Sequence, residues 1–282
     1  MLTHTPEERL GRTIAIMNQK GGVGKTTTSV NLAAALAQQG KKVCLIDMDP
    51  QAHASLHCGV MLEPDENSVY EILTDSMSLA DVVTQVDEQF DLVGSTLDLA
   101  GIEVELAGMV GREMVLRDHL EKESQHYDYT LIDCPPSLGI LTLNALTAVS
   151  EVFIPLQPQF FALHGLGKLL ETIQLVASRL NPTLTLGGVV LCLYDQNTRL
   201  AEEVTSDVLD FFAQASQQKG SPWSHARIFE SRIRRNIRLA EAPGHGQSIF
   251  QYAPKSNGAE DYRLLAEEVI KQSARDQLQR SA

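Results

Sequence analysis

The sequence predicts an α/β fold: a single domain with a mostly parallel, twisted β-sheet flanked by helices on both faces. Three observations carry this. Strand-length apolar runs such as "RTIAI", "KVCLID" and "YTLID" are continuous rather than alternating, as suits strands buried on both faces. Segments of helical period separate them, the order expected of parallel strands joined by crossover helices. Between the first strand and the first helix stands K-G-G-V-G-K-T-T, residues Lys20 to Thr27, a loop suited to wrapping phosphate.

Taken in order, "RTIAIMN" (Arg12 to Asn18) reads as a strand entering the loop. The helix leaving it places Val30, Ala33, Ala34 and Ala37 on one face, and Gly40 sits where a left-handed residue would end it. "KVCLIDMDP" (Lys42 to Pro50) gives a second strand closing in two aspartates. Residues 68–86 read as helical, "FDLVGS" as a short strand, and two helical stretches run to about residue 124. "YDYTLIDCPPSLG" is a buried strand ending at Asp133, stopped by Pro135 and Pro136. Then follow the strand "EVFIPLQ", a helix over 163–179, the strand "TLGGVVLCLYD", a helix over 200–214 and a last helix over 258–272. This gives an N-terminal extension over 1–12, a body over 13–272 and a polar tail over 273–282.

The 282 residues carry no Pro/Gly/Ser-rich linker, internal repeat or membrane-length apolar run. The first dozen residues lack the layout of a secretion signal, so a cytoplasmic protein is expected. Thirty-six acidic against 23 basic residues leave a net charge of −13, which argues against broad adhesion to nucleic acid or anionic lipid but leaves room for a local basic patch. Cys44, Cys58, Cys134 and Cys192 are scattered, as buried reduced thiols would be. His53, His57 and Cys58 stand at helical spacing for a metal, but no further carboxylate or thiol completes a set.

In a phosphate loop, glycines let backbone N–H groups wrap the anion, a lysine meets the outer phosphates and a hydroxyl meets magnesium. Gly21, Gly22, Val23 and Gly24 form the cradle here, followed by Lys25, Thr26 and Thr27. The strict pattern would want its first glycine at position 19, where Gln19 stands, and next to it is an additional lysine, Lys20. Asp133 closes an apolar strand, where a carboxylate that holds magnesium or its waters faces the phosphate loop. Asp47 and Asp49 share a face if the second strand persists; one suits the metal region, the other the orienting of an attacking water. Downstream, "RIFESRIRRNIR" sets Arg227, Arg232, Arg234, Arg235 and Arg238 beside one glutamate, a local basic cluster that a solvated loop or a set of internal ion pairs would also give.

Together "KGGVGKTT", "LIDMDPQ", "LIDCPPSLG", "NIRLAEAPGHG" and "GAEDYRLLAEEV" resemble the ParA/Soj family of partitioning ATPases, in the wider P-loop group with a deviant Walker A loop that includes MinD. The resemblance runs from about residue 13 to 270. It implies ATP and Mg2+ as cofactors and slow hydrolysis. Lys20 would be the signature lysine reaching the partner's nucleotide across an ATP-bridged homodimer, with Lys25 on the β- and γ-phosphates. Thr26 would ligate magnesium, Asp133 would lie behind the metal, Asp49 would orient the water and Asp47 would support them.

It further implies nonspecific double-stranded DNA bound through Arg227, Arg232, Arg235 and Arg238 once dimerised, nucleoid association, no membrane, and a ParB-like partner that triggers hydrolysis. The first dozen residues are too few for the helix-turn-helix that autoregulating relatives carry. Two departures stand out: Arg234 replaces a proline that lies near the adenine in relatives, and 216–225 is a longer polar loop. The rivals are a MinD-like membrane- or protein-cluster-positioning ATPase, which would need an amphipathic basic tail, a nitrogenase-reductase-like protein, which would need paired cysteines, and a metabolite ligase with the same loop chemistry.

Overall fold

A computed structural model describes residues 11–63, 65–123, 126–160, 162–195, 198–215, 220–224 and 226–280, with only the backbone course of 123 and 275–280. Eight strands form one sheet in the order β3-β4-β2-β5-β1-β6-β7-β8. They are β1 (Arg12–Ile16), β2 (Val43–Asp47), β3 (Val83–Asp87), β4 (Phe90–Val93), β5 (Tyr129–Asp133), β6 (Glu151–Leu156), β7 (Thr185–Tyr194) and β8 (Ile228–Arg234). All neighbours pair parallel except β3, which runs antiparallel along β4 at the edge.

Successive residues of the central strands serve opposite cores. Ile14, Ile16, Val43 and Leu45 pack beneath α1 (Lys25–Gln38) and α12 (Asn257–Arg280). Ala15, Met17, Cys44 and Ile46 pack in the other core with α6 (Val115–Glu123), α7 (Ile140–Ala148), α8 (Ala162–Arg179) and α9 (Arg199–Ala215). This double burial is what the unbroken apolar runs require. Pro155, inside β6, falls past the last residue paired with β1, where the Asn18 side-chain amide donates to its carbonyl at 2.8 Å. Gly40 takes φ 73°, the left-handed stop that the sequence implied.

Short helices fill the connections: α2 (His53–His57), α3 (Val69–Leu73), α4 (Leu79–Val82), α5 (Ile102–Glu105), α10 (Ile237–Glu241) and α11 (Ile249–Tyr252).

Four readings need correction. The helical stretch expected through residue 86 ends at Val82, because Val83 and Thr84 favour the extended form and pair with β4. The arginine-rich segment is largely strand β8, with Phe229 and Ile233 turned inward and Glu230 and Arg232 outward. The last helix continues to Arg280, and Arg12, expected at the edge of the domain, donates to Ser273 and grips Glu151 within it. Of the 216–225 loop, residues 216–219 and 225 lie outside the described residues, but Trp223 packs against the core rather than standing in solvent. The four cysteines are free, three of them buried, as expected.

Candidate nucleotide-binding site

The carboxyl ends of β1, β2 and β5 bring three stations together, because β5 lies between the other two in the sheet. From β1 the chain enters the glycine loop. Gly22 (φ 72°) and Gly24 (φ 93°) adopt the left-handed form, which turns backbone N–H groups inward where side chains would be strained. Val23 is buried and pins the loop, and Asn18 Oδ1 accepts from the Lys20 N–H at 3.0 Å. Gly24 then opens α1 with no side chain capping its N-terminus, an end whose free N–H groups and dipole favour an anion.

The two lysines part company. Lys25 Nζ folds back toward the Lys20 carbonyl at 3.4 Å. Lys20 is exposed, and its ammonium donates to the Gln159 side-chain carbonyl from the loop after β6.

Asp133 is 1% exposed, and its two oxygens accept from Thr26 Oγ1 at 2.8 Å and Ser29 Oγ at 2.7 Å. The sequence reading missed Ser29; the available signal was its i+3 spacing from Thr26, which puts both hydroxyls on one face of α1. Asp47 stands beside Asp133 in the β2–β5 register and is fully buried. It accepts from the Asp49 N–H at 3.1 Å and from the Ser55 N–H and Oγ, both at 2.8 Å, thereby tying down the turn that carries Asp49. Burial, then the neighbouring carboxylate charge, raises the proton affinity of Asp133; burial chiefly raises that of Asp47. Asp49 lies beyond the end of β2 rather than on it, so the two aspartates do not share a strand face; Asp49 Oδ1 accepts from the Gln51 N–H at 3.0 Å in a local turn.

The arginines divide as well. Arg234 grips Asp261 through its backbone N–H and guanidinium at 2.5 to 3.1 Å. Arg238 pairs with Glu241 at 2.8 Å, and Arg232 bonds the Tyr194 hydroxyl at 2.7 Å with its guanidinium over the ring. Arg235 is exposed and Arg227 partly buried, and neither guanidinium has a hydrogen bond or ion pair among the described residues.

His57, one of the spaced metal-ligand candidates, is buried with Nε2 unpartnered among the described residues, and burial pushes its pKa down to about 4. Among the described residues no group of three or more His, Cys, Asp or Glu is placed to hold a metal.

A family model described as an AAA domain matches residues 11–186. The chain is 46% identical over 261 residues to the sporulation initiation inhibitor protein Soj of Bacillus subtilis, spanning 92% of this chain and 98% of the relative. It is 42% identical to the chromosome partitioning protein ParA of Caulobacter vibrioides, over 92% of this chain and 94% of that one. Among solved structures, one described as a cobyrinic acid a,c-diamide synthase from Mycobacterium smegmatis with bound ATP analogue and magnesium superposes with TM-score 0.77 at 34% identity, covering 94% of this chain and 96% of that one. The Pyrococcus furiosus cell division ATPase MinD shares the fold at TM-score 0.73 and 24% identity, over 93% and 99% of the two chains. The chain therefore belongs to the ParA/Soj family of chromosome-partitioning ATPases.

Proposed function

We propose that this protein is a magnesium-dependent ATPase switch in DNA partitioning, in which ATP joins two subunits through Lys20, the dimer holds DNA without regard to sequence, and partner-triggered hydrolysis releases it. The observation that carries the reading is the second loop lysine. Lys25 already lies across the loop, whereas Lys20 is exposed at its rim. A cation there gains little inside one subunit but can neutralise charge on a phosphoryl group held by another.

The residues present fit a magnesium nucleotide. Two buried carboxylates repel each other at the strand ends, a burden that a divalent cation would relieve, and the open N-terminus of α1 suits phosphates. Thr26 and Asp133 would hold the metal region, Asp47 would fix the Asp49 turn, and Gly21 to Thr27 would cradle the phosphates. Bound magnesium would neutralise charge on the β- and γ-phosphates. Asp49, released from its local turn, would orient the attacking water; no strong base is required for that role.

For DNA, Arg235 and Arg227 offer uncommitted guanidinium groups, with Arg232 and Arg238 flanking them; one such patch on each subunit multiplies weak phosphate contacts through avidity. The protein would then be cytoplasmic and nucleoid-associated, working with a ParB-like stimulator. Among the described residues no helix is long and apolar enough to cross a membrane.

The test is DNA binding by the purified protein with no nucleotide, ADP or ATP, at two salt concentrations, alongside Arg235→Ala. Binding only with ATP, weakened by salt and by the substitution, is expected; no binding in any nucleotide state refutes the DNA arm. The cobyrinate-synthase-like neighbour motivates a second reading as a metabolite ligase. ATP consumption that depends on a cobyrinate substrate and not on DNA would favour it.

A further inference from the structure

We propose that Glu103, far from the phosphate loop in sequence, positions the segment following Asp133 and thereby tunes the site's hold on its metal. The inference rests on the reading of Asp133 as the carboxylate of the metal region. After Asp133 the chain runs through Cys134, Pro135 and Pro136 to α7. Two prolines supply no N–H, so the stretch is anchored from within chiefly by the Thr142 hydroxyl, which donates to the Ser137 carbonyl at 2.6 Å. Its start is fixed where the Cys134 N–H donates to the Ile16 carbonyl at 3.2 Å, and its far end is the N-terminus of α7.

That N-terminus has no cap of its own, because the N-cap residue is Gly139. The Glu103 carboxylate reaches in from α5 instead, accepting from the Ile140 N–H at 3.3 Å. A carboxylate on an open helix start satisfies an orphan donor and meets the positive end of the dipole. Gly139 makes the approach possible, since a β-carbon there would collide with Glu103 Oε1. Its φ of −88° and ψ of −165° are open to any residue, so the glycine answers to the carboxylate rather than to backbone strain.

Glu103 is exposed, but the short helix that carries it is held. Ile102 and Leu106 on either side are buried, and Glu105 accepts from the Tyr70 hydroxyl of α3 at 2.5 Å. The rest of α7 is fastened separately: Asn144, fully buried, donates to the Arg112 carbonyl at 2.8 Å and accepts from the Leu116 N–H at 3.2 Å. Loss of the Glu103 contact should therefore loosen the end nearest Asp133 without unfolding the helix.

The test compares full-length wild type, Glu103→Ala, Glu103→Gln, Gly139→Ala and the Glu103→Ala/Gly139→Ala double variant. Two readouts are taken: hydrogen exchange of the Ile140 amide without nucleotide, and the Mg2+ concentration giving half-maximal ATPase at saturating ATP. We expect Ile140 exchange to speed up by about tenfold in Glu103→Ala and Gly139→Ala, as for a lost hydrogen bond to a charged group. The Mg2+ requirement should rise by about tenfold in the same two variants, with the KM for ATP unchanged at saturating Mg2+. The double variant should match either single one, because both remove one interaction, and Glu103→Gln, which keeps an acceptor, should stay near wild type. Unchanged Ile140 exchange in Glu103→Ala, or effects that add in the double variant, would overturn the proposal. Faster exchange with an unaltered Mg2+ requirement would reduce Glu103 to a helix cap and overturn its link to the site. A wild type whose ATPase ignores Mg2+ would instead sink the underlying reading.

Discussion

Asp133 receives two hydroxyls from one turn of α1 while lying next to a second buried carboxylate, Asp47. Its proton affinity is raised by burial first and by that neighbour second. A carboxyl that binds its proton more tightly folded than unfolded gives stability that is complete below the unfolded value of about 4 and is lost as pH rises through the raised folded value. For the metal-free protein, thermal unfolding of wild type and Asp133→Asn should therefore diverge, with wild type losing ground as pH goes from about 5 to 8. A gap that moves the other way would contradict the assigned burial. Much of this chemistry was legible in the sequence: a strand ending in aspartate opposite a glycine loop announces Asp133, Lys25 and Thr26. Ser29 offered only its i+3 spacing from Thr26, and Ser55 as the partner of Asp47 was not legible, because it depends on which side chains fill the space beside β2.

At the scale of elements, the central strands were readable because double burial leaves unbroken apolar runs, whereas edge strands hide. In β8 only Phe229 and Ile233 are fully buried, and arginines on the outer face mask the alternation. In β3 a single short alternation follows straight on from α4, so the change of period has no boundary residue to mark it. The motif "AEAPGHG" gains a physical meaning here. Gly246 takes φ 60°, and a β-carbon on it would come within 2.7 Å of Gly59 Cα, just past α2. Two backbones thus meet where α2 and the turn after α10 pack, on the flank of the Asp49 turn. Gly246→Ala should cost about 1–3 kcal/mol, through left-handed strain and the clash, visible as a lower urea midpoint with an unchanged slope. An unchanged midpoint would mean the two turns part easily.

At the scale of the molecule, the proposed hold on DNA would be conditional rather than constant, because the chain is acidic and, among the described residues of the arginine-rich segment, Arg227 and Arg235 alone are uncommitted. Net charge of −13 opposes a polyanion, so in the proposed function the arginine patch would prevail when two copies act together. The proposed switch then depends on nucleotide-driven pairing through Lys20. In a single subunit this lysine reaches no farther than Gln159. The most direct measurement is the mass in solution of wild type and Lys20→Ala, each with Mg2+ and a slowly hydrolysed ATP analogue, compared with the same proteins in ADP. Pairing through Lys20 predicts that wild type doubles its mass with the analogue alone and that Lys20→Ala stays single while still binding nucleotide. A Lys20→Ala protein that pairs as wild type does, or a wild type that never pairs, would contradict it.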